Sequence, residues 1–192
     1  ENIANMTYKE VRRLDAGSWY SVEYKGEKVP GLREVLELAQ GKIKLNIELK
    51  PADNSEELAR KTVALIEKYN MENDCVITSF SSSALSAAKS CDENIRVGYI
   101  LSAAYGEYYD MKNIDFFSVN AAFLSKRTID AIHNSGKQVY AWTVNNKDSI
   151  KNLTNKGVDG VITDNPVLAR ETIYSRDTSE TIINMIRYVF NQ

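Results

Sequence analysis

The sequence predicts an α/β fold, an incomplete (β/α) barrel of the TIM type with roughly six of the eight strands and a C-terminal helix. Strand-like and helix-like segments alternate along almost the whole chain, a pattern typical of a parallel sheet with helical cover. The strands are evenly spaced, and one of them carries a polar face. The alternation alone also fits an open, doubly wound sheet, and the other two observations favour the barrel.

The N-terminal part is expected to contain two helices, a strand and a third helix. Residues 7–14 have the pattern of a short helix, and residues 32–39 place apolar side chains at helical spacing before Gly41, which is placed to end that helix. Residues 43–49 alternate strictly between apolar and polar side chains, which predicts a strand. Asp53 and the glutamate three residues later form a capping-box pattern that predicts a helix start.

The remaining elements continue the alternation, except that no helix is evident after residue 101. Strands are expected at residues 76–80, 96–101, 116–120, 138–144 and 160–163. Helices are expected at residues 82–90, from Ser125 to 133, up to 156 before a stop at Gly157, and from Pro166 to about 173.

The strand at residues 43–49 favours a barrel over an open sheet. Its polar side chains share one face, whereas central strands of open parallel sheets are usually apolar on both faces. In a barrel the outward face packs against helices, and the inward face can be polar near the carboxyl ends of the strands, where active sites lie. Glu48 and Lys50 would then point into the barrel at its functional end.

The C-terminal residues form a separate segment, so we divide the chain into a partial barrel, 1–174, and a helical extension, 175–192. Asp177 and Glu180 have the spacing of a capping box, and an apolar stripe with helical spacing follows between Ile182 and Phe190. This stripe predicts either a docked terminal helix or a contact surface for another chain or domain.

Composition restricts the class of protein. The formal net charge of -2 gives no reason to expect binding to nucleic acid or to an acidic membrane surface. The two cysteines suggest neither a disulfide framework nor a metal cluster, and Cys75 is expected as a buried thiol. No apolar stretch approaches the ~20 residues of a membrane span, and no signal peptide is visible. The start at Glu1 has the character of the interior of a longer protein.

Several short motifs occur in the order and spacing of a known family. They are residues 15–19 (DAGSW), 26–32 (GEKVPGL), 46–50 (NIELK), 79–80 (SF), 141–145 (AWTVN) and 157–166 (GVDGVITDNP). Together they resemble the glycerophosphodiester phosphodiesterases, and the resemblance covers about residues 5–174. Each motif is weak evidence when taken singly, and the ordered set is much stronger.

The N-terminal catalytic motifs of that family are absent from this sequence. The family has a His-Arg-Gly motif on its first strand, a Glu-x-Asp pair on its second and a His-Asp motif shortly afterwards, and none of them occurs here. They would lie upstream of residue 1. The single histidine, His133, is expected on a helix outside the barrel, where a surface or packing role is predicted.

The resemblance implies that Glu48 is one ligand of a divalent cation, Ca²⁺ or Mg²⁺, in the complete parent protein. The alternative is an ion pair with Lys50 or Lys44. Hard cations prefer carboxylate oxygens, and one carboxylate binds them poorly. We therefore expect metal binding by this chain alone to be weak or absent.

The resemblance also implies four substrate-binding residues. Lys50 would steady the phosphate as a point charge, unless it is a solvated strand end. Trp142 would line the glycerol side of the cleft, with barrel packing as the alternative. Phe80 and Asn120 are weaker candidates, and Asp164 would either contact the ligand or cap the last helix.

Three functions remain open from the sequence. In the first, the parent hydrolyses a glycerophosphodiester to glycerol 3-phosphate and an alcohol with a divalent metal, and this chain alone is inactive. In the second, the chain is a non-catalytic, barrel-derived module that binds a partner or a phosphate ligand. The third is another phosphodiesterase on the same barrel, such as a phospholipase-like enzyme. In each case we expect no nucleic-acid partner, and either self-association through exposed barrel edges or a gap covered by the chain's own termini. The sequence leaves the localisation open: we expect a soluble domain of a longer parent, either membrane-anchored or cytoplasmic.

Overall fold

Six strands succeed one another in chain order in one sheet within the described part of the chain. They are β1 Leu45–Glu48, β2 Cys75–Ser79, β3 Arg96–Leu101, β4 Phe116–Asn120, β5 Gln138–Trp142 and β6 Gly160–Val161. The register of β3 with β4, of β4 with β5 and of β5 with β6 is parallel. The predicted α/β fold, six parallel strands with helices as in part of a TIM-type barrel, is therefore confirmed.

The structure, a computed structural model, describes residues 3–50, 54–104, 106 and 108–174. These residues form two compact units. The first comprises the residues up to Ile77 together with Ser81–Arg96, and the second comprises Thr78–Phe80 together with the residues from Val97 onward. The predicted C-terminal extension at 175–192 lies outside the described residues, and the boundary after residue 174 stays a prediction.

Helices occupy most of the connections between the strands. They are α1 Tyr8–Val11, α2 Leu32–Ala39, α3 Ser55–Lys68, α4 Ser82–Cys91, α5 Lys126–Asn134 and α6 Lys147–Lys156, and residues 166–174 are helical as α7. Between β3 and β4, the described residues contain a 3-10 turn, Tyr108–Asp110, and no α-helix. The sequence showed no helical pattern in this connection. None of the described helices is long and apolar enough to cross a membrane.

Helix ends follow the capping signals of the sequence, with one displacement. The Ser125 hydroxyl accepts a backbone N–H at the start of α5, and Gly157 ends α6 in the left-handed region at φ 96°. The cap of α3 is Asn54, whose side-chain oxygen accepts the N–H of Glu57 at 3.0 Å. The prediction of Asp53 as the cap is therefore wrong by one residue. The sequence does not separate these two neighbours, because asparagine and aspartate serve equally well as N-caps.

The first unit packs α2, α3 and α4 with β1 and the start of β2. Apolar side chains from these elements are fully buried: Leu36, Ala59, Val63, Ile66, Ile77, Leu85 and Ala88. Strand β1 alternates as predicted, with Leu45 and Ile47 half-buried and the polar side chains between and after them exposed. The Leu45 N–H donates to the Asp74 carbonyl just before β2 at 2.7 Å.

Asp15 organises the loop that follows α1. Its carboxylate accepts the backbone N–H groups of Gly17, Ser18 and Gly26 at 2.8–2.9 Å, and the Ser18 hydroxyl at 2.7 Å. These hydrogen bonds, those from Ser18 foremost, hold the pKa of Asp15 well below its ordinary value. Trp19, in the same loop, is 82% exposed, and its indole Nε1 donates to the Ala16 carbonyl at 2.8 Å, so polar contacts to the backbone help to hold this loop.

The second unit is built on β3–β6, and apolar side chains of the central strands β4 and β5 form its core. Phe116, Phe117, Val119, Val139 and Ala141 are fully buried. Gly98 of β3 lies opposite Phe116, and a Cβ atom on Gly98 would stand 2.1 Å from the Phe116 ring. The Phe116 ring also packs against Tyr140, with centroids 4.7 Å apart. The absence of a side chain at residue 98 therefore makes room for this aromatic layer.

Gly98→Ala should lower the free energy of unfolding by about 1–3 kcal/mol, because the ring can move away only by disturbing a packed core. Gly160→Ala is the matched control, since a Cβ at that strand glycine would meet Tyr140 at a milder 3.2 Å. The measurement is denaturant unfolding of both variants. Equal stability of the two variants would contradict this account of the layer.

Candidate functional site

Glu48 and Lys50 lie at the carboxyl end of β1, in the first unit. Leu49, between them, is buried, so the strand alternation turns both charged side chains to the opposite, exposed face. The Lys50 Nζ lies 3.6 Å from the Glu48 Oε2. Lys44, at the other end of the strand, lies 3.9 Å from Asp74. The structure thus brings Glu48 and Lys50 together in an ion pair. This pair is the alternative that the sequence left open beside metal binding by Glu48.

The Glu48–Lys50 pair is accessible to a ligand. The Lys50 side chain is 78% exposed and that of Glu48 is 34% exposed. Exposed ion pairs contribute only about 0–1 kcal/mol, so a phosphate dianion can compete for the ammonium group without a large penalty. The pair can therefore offer one cationic contact to an anion.

The described residues do not fit a divalent cation held by this chain alone. Among residues 3–50, 54–104, 106 and 108–174, no group of three or more His, Cys, Asp or Glu side chains could hold a metal ion. Calcium takes about six to eight oxygen ligands and magnesium about six, whereas Glu48 supplies one carboxylate beside an ammonium group. Metal binding by Glu48 thus remains a prediction about the complete parent.

Trp142 and Phe80 form an aromatic pair in the second unit. Trp142 ends β5 and is half-buried, and its indole Nε1 donates to the Ser118 carbonyl of β4 at 2.9 Å. Phe80 follows β2 and is 49% exposed. The two rings meet edge to face with centroids 6.2 Å apart and an interplanar angle of 88°. An apolar wall with a fixed indole results at the carboxyl end of these strands.

Asn120 ends β4 and stands opposite Trp142 in the parallel register. Its side-chain oxygen accepts the N–H of Ala122 at 3.0 Å and begins the 3-10 turn Ala121–Phe123. The carbonyl oxygen of this amide therefore has a structural partner. Its half-exposed side chain retains an NH₂ group that can donate to a ligand.

Asn145 and Asp164 form a hydrogen-bonded pair that sequence analysis missed. The Asn145 Nδ2 donates to the Asp164 Oδ2 at 2.7 Å, and the Asn145 Oδ1 accepts the Asp164 N–H at 2.9 Å. Asp164 does not cap α7, because that cap is Asn165, which accepts the Leu168 N–H at 3.1 Å. The capping role weighed for Asp164 is therefore wrong. Both residues lie in recognisable motifs, but no sequence signal shows that the two loops meet.

Comparison with known proteins identifies the family. The model of the glycerophosphoryl diester phosphodiesterase family matches residues 1–168. The chain belongs to this family. It is similar to a glycerophosphodiester phosphodiesterase of Caldanaerobacter subterraneus subsp. tengcongensis, with 28% identity over 195 residues that cover 96% of this chain and 73% of that protein.

Solved structures support the same assignment. An Oleispira antarctica phosphodiesterase in complex with the product sn-glycerol-3-phosphate is 30% identical, with a TM-score of 0.77 over 90% of this chain and 72% of that one. A glycerophosphodiester phosphodiesterase from Parabacteroides distasonis has a TM-score of 0.80 at 22% identity, over 91% of this chain and 74% of that one, which shows the shared fold.

The one histidine of this glycerophosphodiester phosphodiesterase family member has a structural partner. His133 lies in the last turn of α5, and its Nε2 is 2.9 Å from the Asp159 Oδ2, which also accepts the Val139 N–H at 2.8 Å. His133 is exposed on α5, so of the two predicted roles, surface or packing, the structure shows the surface one. Cys75 is buried as predicted, and burial raises the pKa of its thiol to about 11, which disfavours the reactive thiolate.

Proposed function

We propose that the barrel to which this chain contributes hydrolyses a glycerophosphodiester to glycerol 3-phosphate and an alcohol. In the overall reaction, a water oxygen forms a bond to phosphorus, the bond from phosphorus to the head-group oxygen breaks, and that oxygen takes up a proton. We further propose that the chain by itself binds the glycerol 3-phosphate moiety and does not hydrolyse the diester.

One observation carries the binding proposal: Lys50 is exposed at the carboxyl end of β1, in a chain 30% identical to a phosphodiesterase that holds sn-glycerol-3-phosphate. Active sites of (β/α) barrels lie at the carboxyl ends of the strands. We assign Lys50 to the phosphate, where an ammonium group acts as a compact point charge.

For the second unit, taken by itself, we assign the aromatic pair to the glycerol carbons and Asn120 to a hydroxyl group. Phe80 is half-exposed and Trp142 half-buried, so both can cover an apolar part of a ligand. The Asn120 NH₂ group is a donor that suits a hydroxyl oxygen. Glu48 is assigned to the metal of the complete parent, in which further ligands must come from residues outside the described set.

Proton transfer is the step for which this chain lacks suitable groups. Hydrolysis needs a general acid and a general base close to the reacting oxygens. The sequence contains one histidine, and His133 is held by Asp159 on the last turn of α5. The absence of a three-donor metal group among the described residues supports the second function, a non-catalytic phosphate-binding module, for the chain in isolation.

Lys50→Met should weaken the binding of sn-glycerol 3-phosphate by about tenfold, the effect of losing one charge-assisted contact. Isothermal titration calorimetry measures the change. Lys44→Met is the matched control, because Lys44 is an exposed lysine beside the same strand at its opposite end. Equal affinity in the two variants would show that Lys50 does not bind the phosphate and is a solvated residue at the strand end.

The purified chain should not release glycerol 3-phosphate from glycerophosphocholine in excess Mg²⁺ or Ca²⁺. Loss of proton transfer alone costs about 10²–10⁴ in rate. A Glu48→Ala variant supplies the background in an enzyme-coupled assay for glycerol 3-phosphate. Turnover well above that background would show that the chain holds another catalytic set.

We also propose that the chain self-associates. β1 and β6 are the outermost strands in the order of the described sheet, and large apolar side chains of the first unit are exposed, among them Trp19, Tyr20, Val22, Leu38 and Ile43. Light scattering should report a mass above that of one chain. A monodisperse monomer across a wide concentration range would contradict the proposal.

A further inference from the structure

Asn145, Thr163 and Asp164 form a polar cluster at the carboxyl ends of β5 and β6, named the clasp here. The Asn145 Oδ1 accepts the Thr163 hydroxyl at 3.1 Å and the Asp164 N–H at 2.9 Å, while the Nδ2 donates to the Asp164 carboxylate at 2.7 Å. The Thr163 oxygen in turn accepts the Asn165 N–H at 3.0 Å. One exposed amide thus holds the whole turn that leads into α7.

The backbone between the clasp and Trp142 has a determined course. The Val144 N–H donates to the Ile162 carbonyl at 2.9 Å, and the Ile162 N–H donates to the Ala141 carbonyl at 2.8 Å. The Val144 side chain is buried. The four residues from Trp142 to Asn145 therefore run alongside the loop after β6, and the clasp joins the two segments at Asn145.

The indole of Trp142 has a hydrogen bond at its tip and an aromatic neighbour. Its Nε1 donates to the Ser118 carbonyl, and its ring lies perpendicular to the half-exposed Phe80 ring. This hydrogen bond acts at the tip of the indole. The position of the other end of the side chain follows the backbone of Trp142. That backbone runs directly into the clasp.

We infer that the clasp positions Trp142, with Asn145 and Asp164 acting as positioning residues for the aromatic wall. Exposed hydrogen bonds contribute little to global stability, about 1 kcal/mol each. Ligand contacts are far more sensitive, since a displacement of about 1 Å in a site can cost a large factor in its performance. Loss of the clasp should therefore change the environment of the indole more than it changes folding. The consequence for ligand affinity rests on the proposed function.

The chain offers a direct spectroscopic test, because it contains two tryptophans. In a Trp19→Phe background, Trp142 is the remaining tryptophan. Asn145→Asp should break the clasp by placing two carboxylates face to face, shifting the emission maximum to longer wavelength and lowering the fluorescence anisotropy. The double variant Asn145→Asp/Asp164→Asn restores one donor opposite one acceptor, so both signals should return toward the parent values.

Asn155→Asp is the matched control, because it makes the same chemical change on the exposed side of α6. Its emission and anisotropy should equal those of the background protein. Circular dichroism checks that each variant is folded. If Asn145→Asp does not fold, Asn145→Ser removes the amide without adding charge and takes its place.

The ligand measurement is a titration of the same variants with sn-glycerol 3-phosphate. Asn145→Asp should weaken binding by about threefold to tenfold, and the double variant should recover the affinity. Unchanged Trp142 fluorescence in folded Asn145→Asp, or a folded double variant that fails to recover it, overturns the positioning role. Failure of the parent protein to bind the ligand refutes the proposed function instead, and the fluorescence comparison still decides whether the clasp positions the indole.

Discussion

The parallel pairing of β4 with β5 is the constraint on which the second unit depends. Its register sets Asn120 opposite Trp142 and brings the Ser118 carbonyl within reach of the indole. Side chains alternate between the two faces of a strand. A slip of one residue would therefore turn both Tyr140 and Trp142 to the other face of the sheet. In the neighbouring β3–β4 pair, the Phe116 ring occupies the space that a side chain at residue 98 would take.

Burial along β4 leaves only its carboxyl end accessible. The first four residues of β4 are buried, and its last residue, Asn120, is half-exposed, as is Trp142 at the end of β5. In the first unit, Leu49 is buried while its neighbours Glu48 and Lys50 are exposed. The apolar interior thus gives the sheet its stability, and polar or aromatic residues at strand ends are free to serve a ligand.

The described charged groups at the carboxyl end of β1 are one carboxylate and one ammonium group. Glu48 stands beside Lys50 in an exposed pair, a setting that suits one contact to an anion. A divalent cation would need several more oxygen ligands, and the described residues contain no group of three candidate donors. Family membership therefore supports the reaction of the complete barrel, while the chemistry of these side chains by themselves supports recognition of a phosphate.

The sequence by itself determined the order of strands and helices, the alternating burial of β1 and the caps at Ser125 and Gly157, because each depends on neighbours within a few residues. It also identified the strand-end residues through their motifs. Only the tertiary structure decided the cap at Asn54, the bond from Trp142 to Ser118 and the clasp of Asn145 with Asp164. The last two contacts join residues 24 and 19 positions apart. Such contacts depend on the strand register and on the course of two loops, and local periodicity carries no information about either.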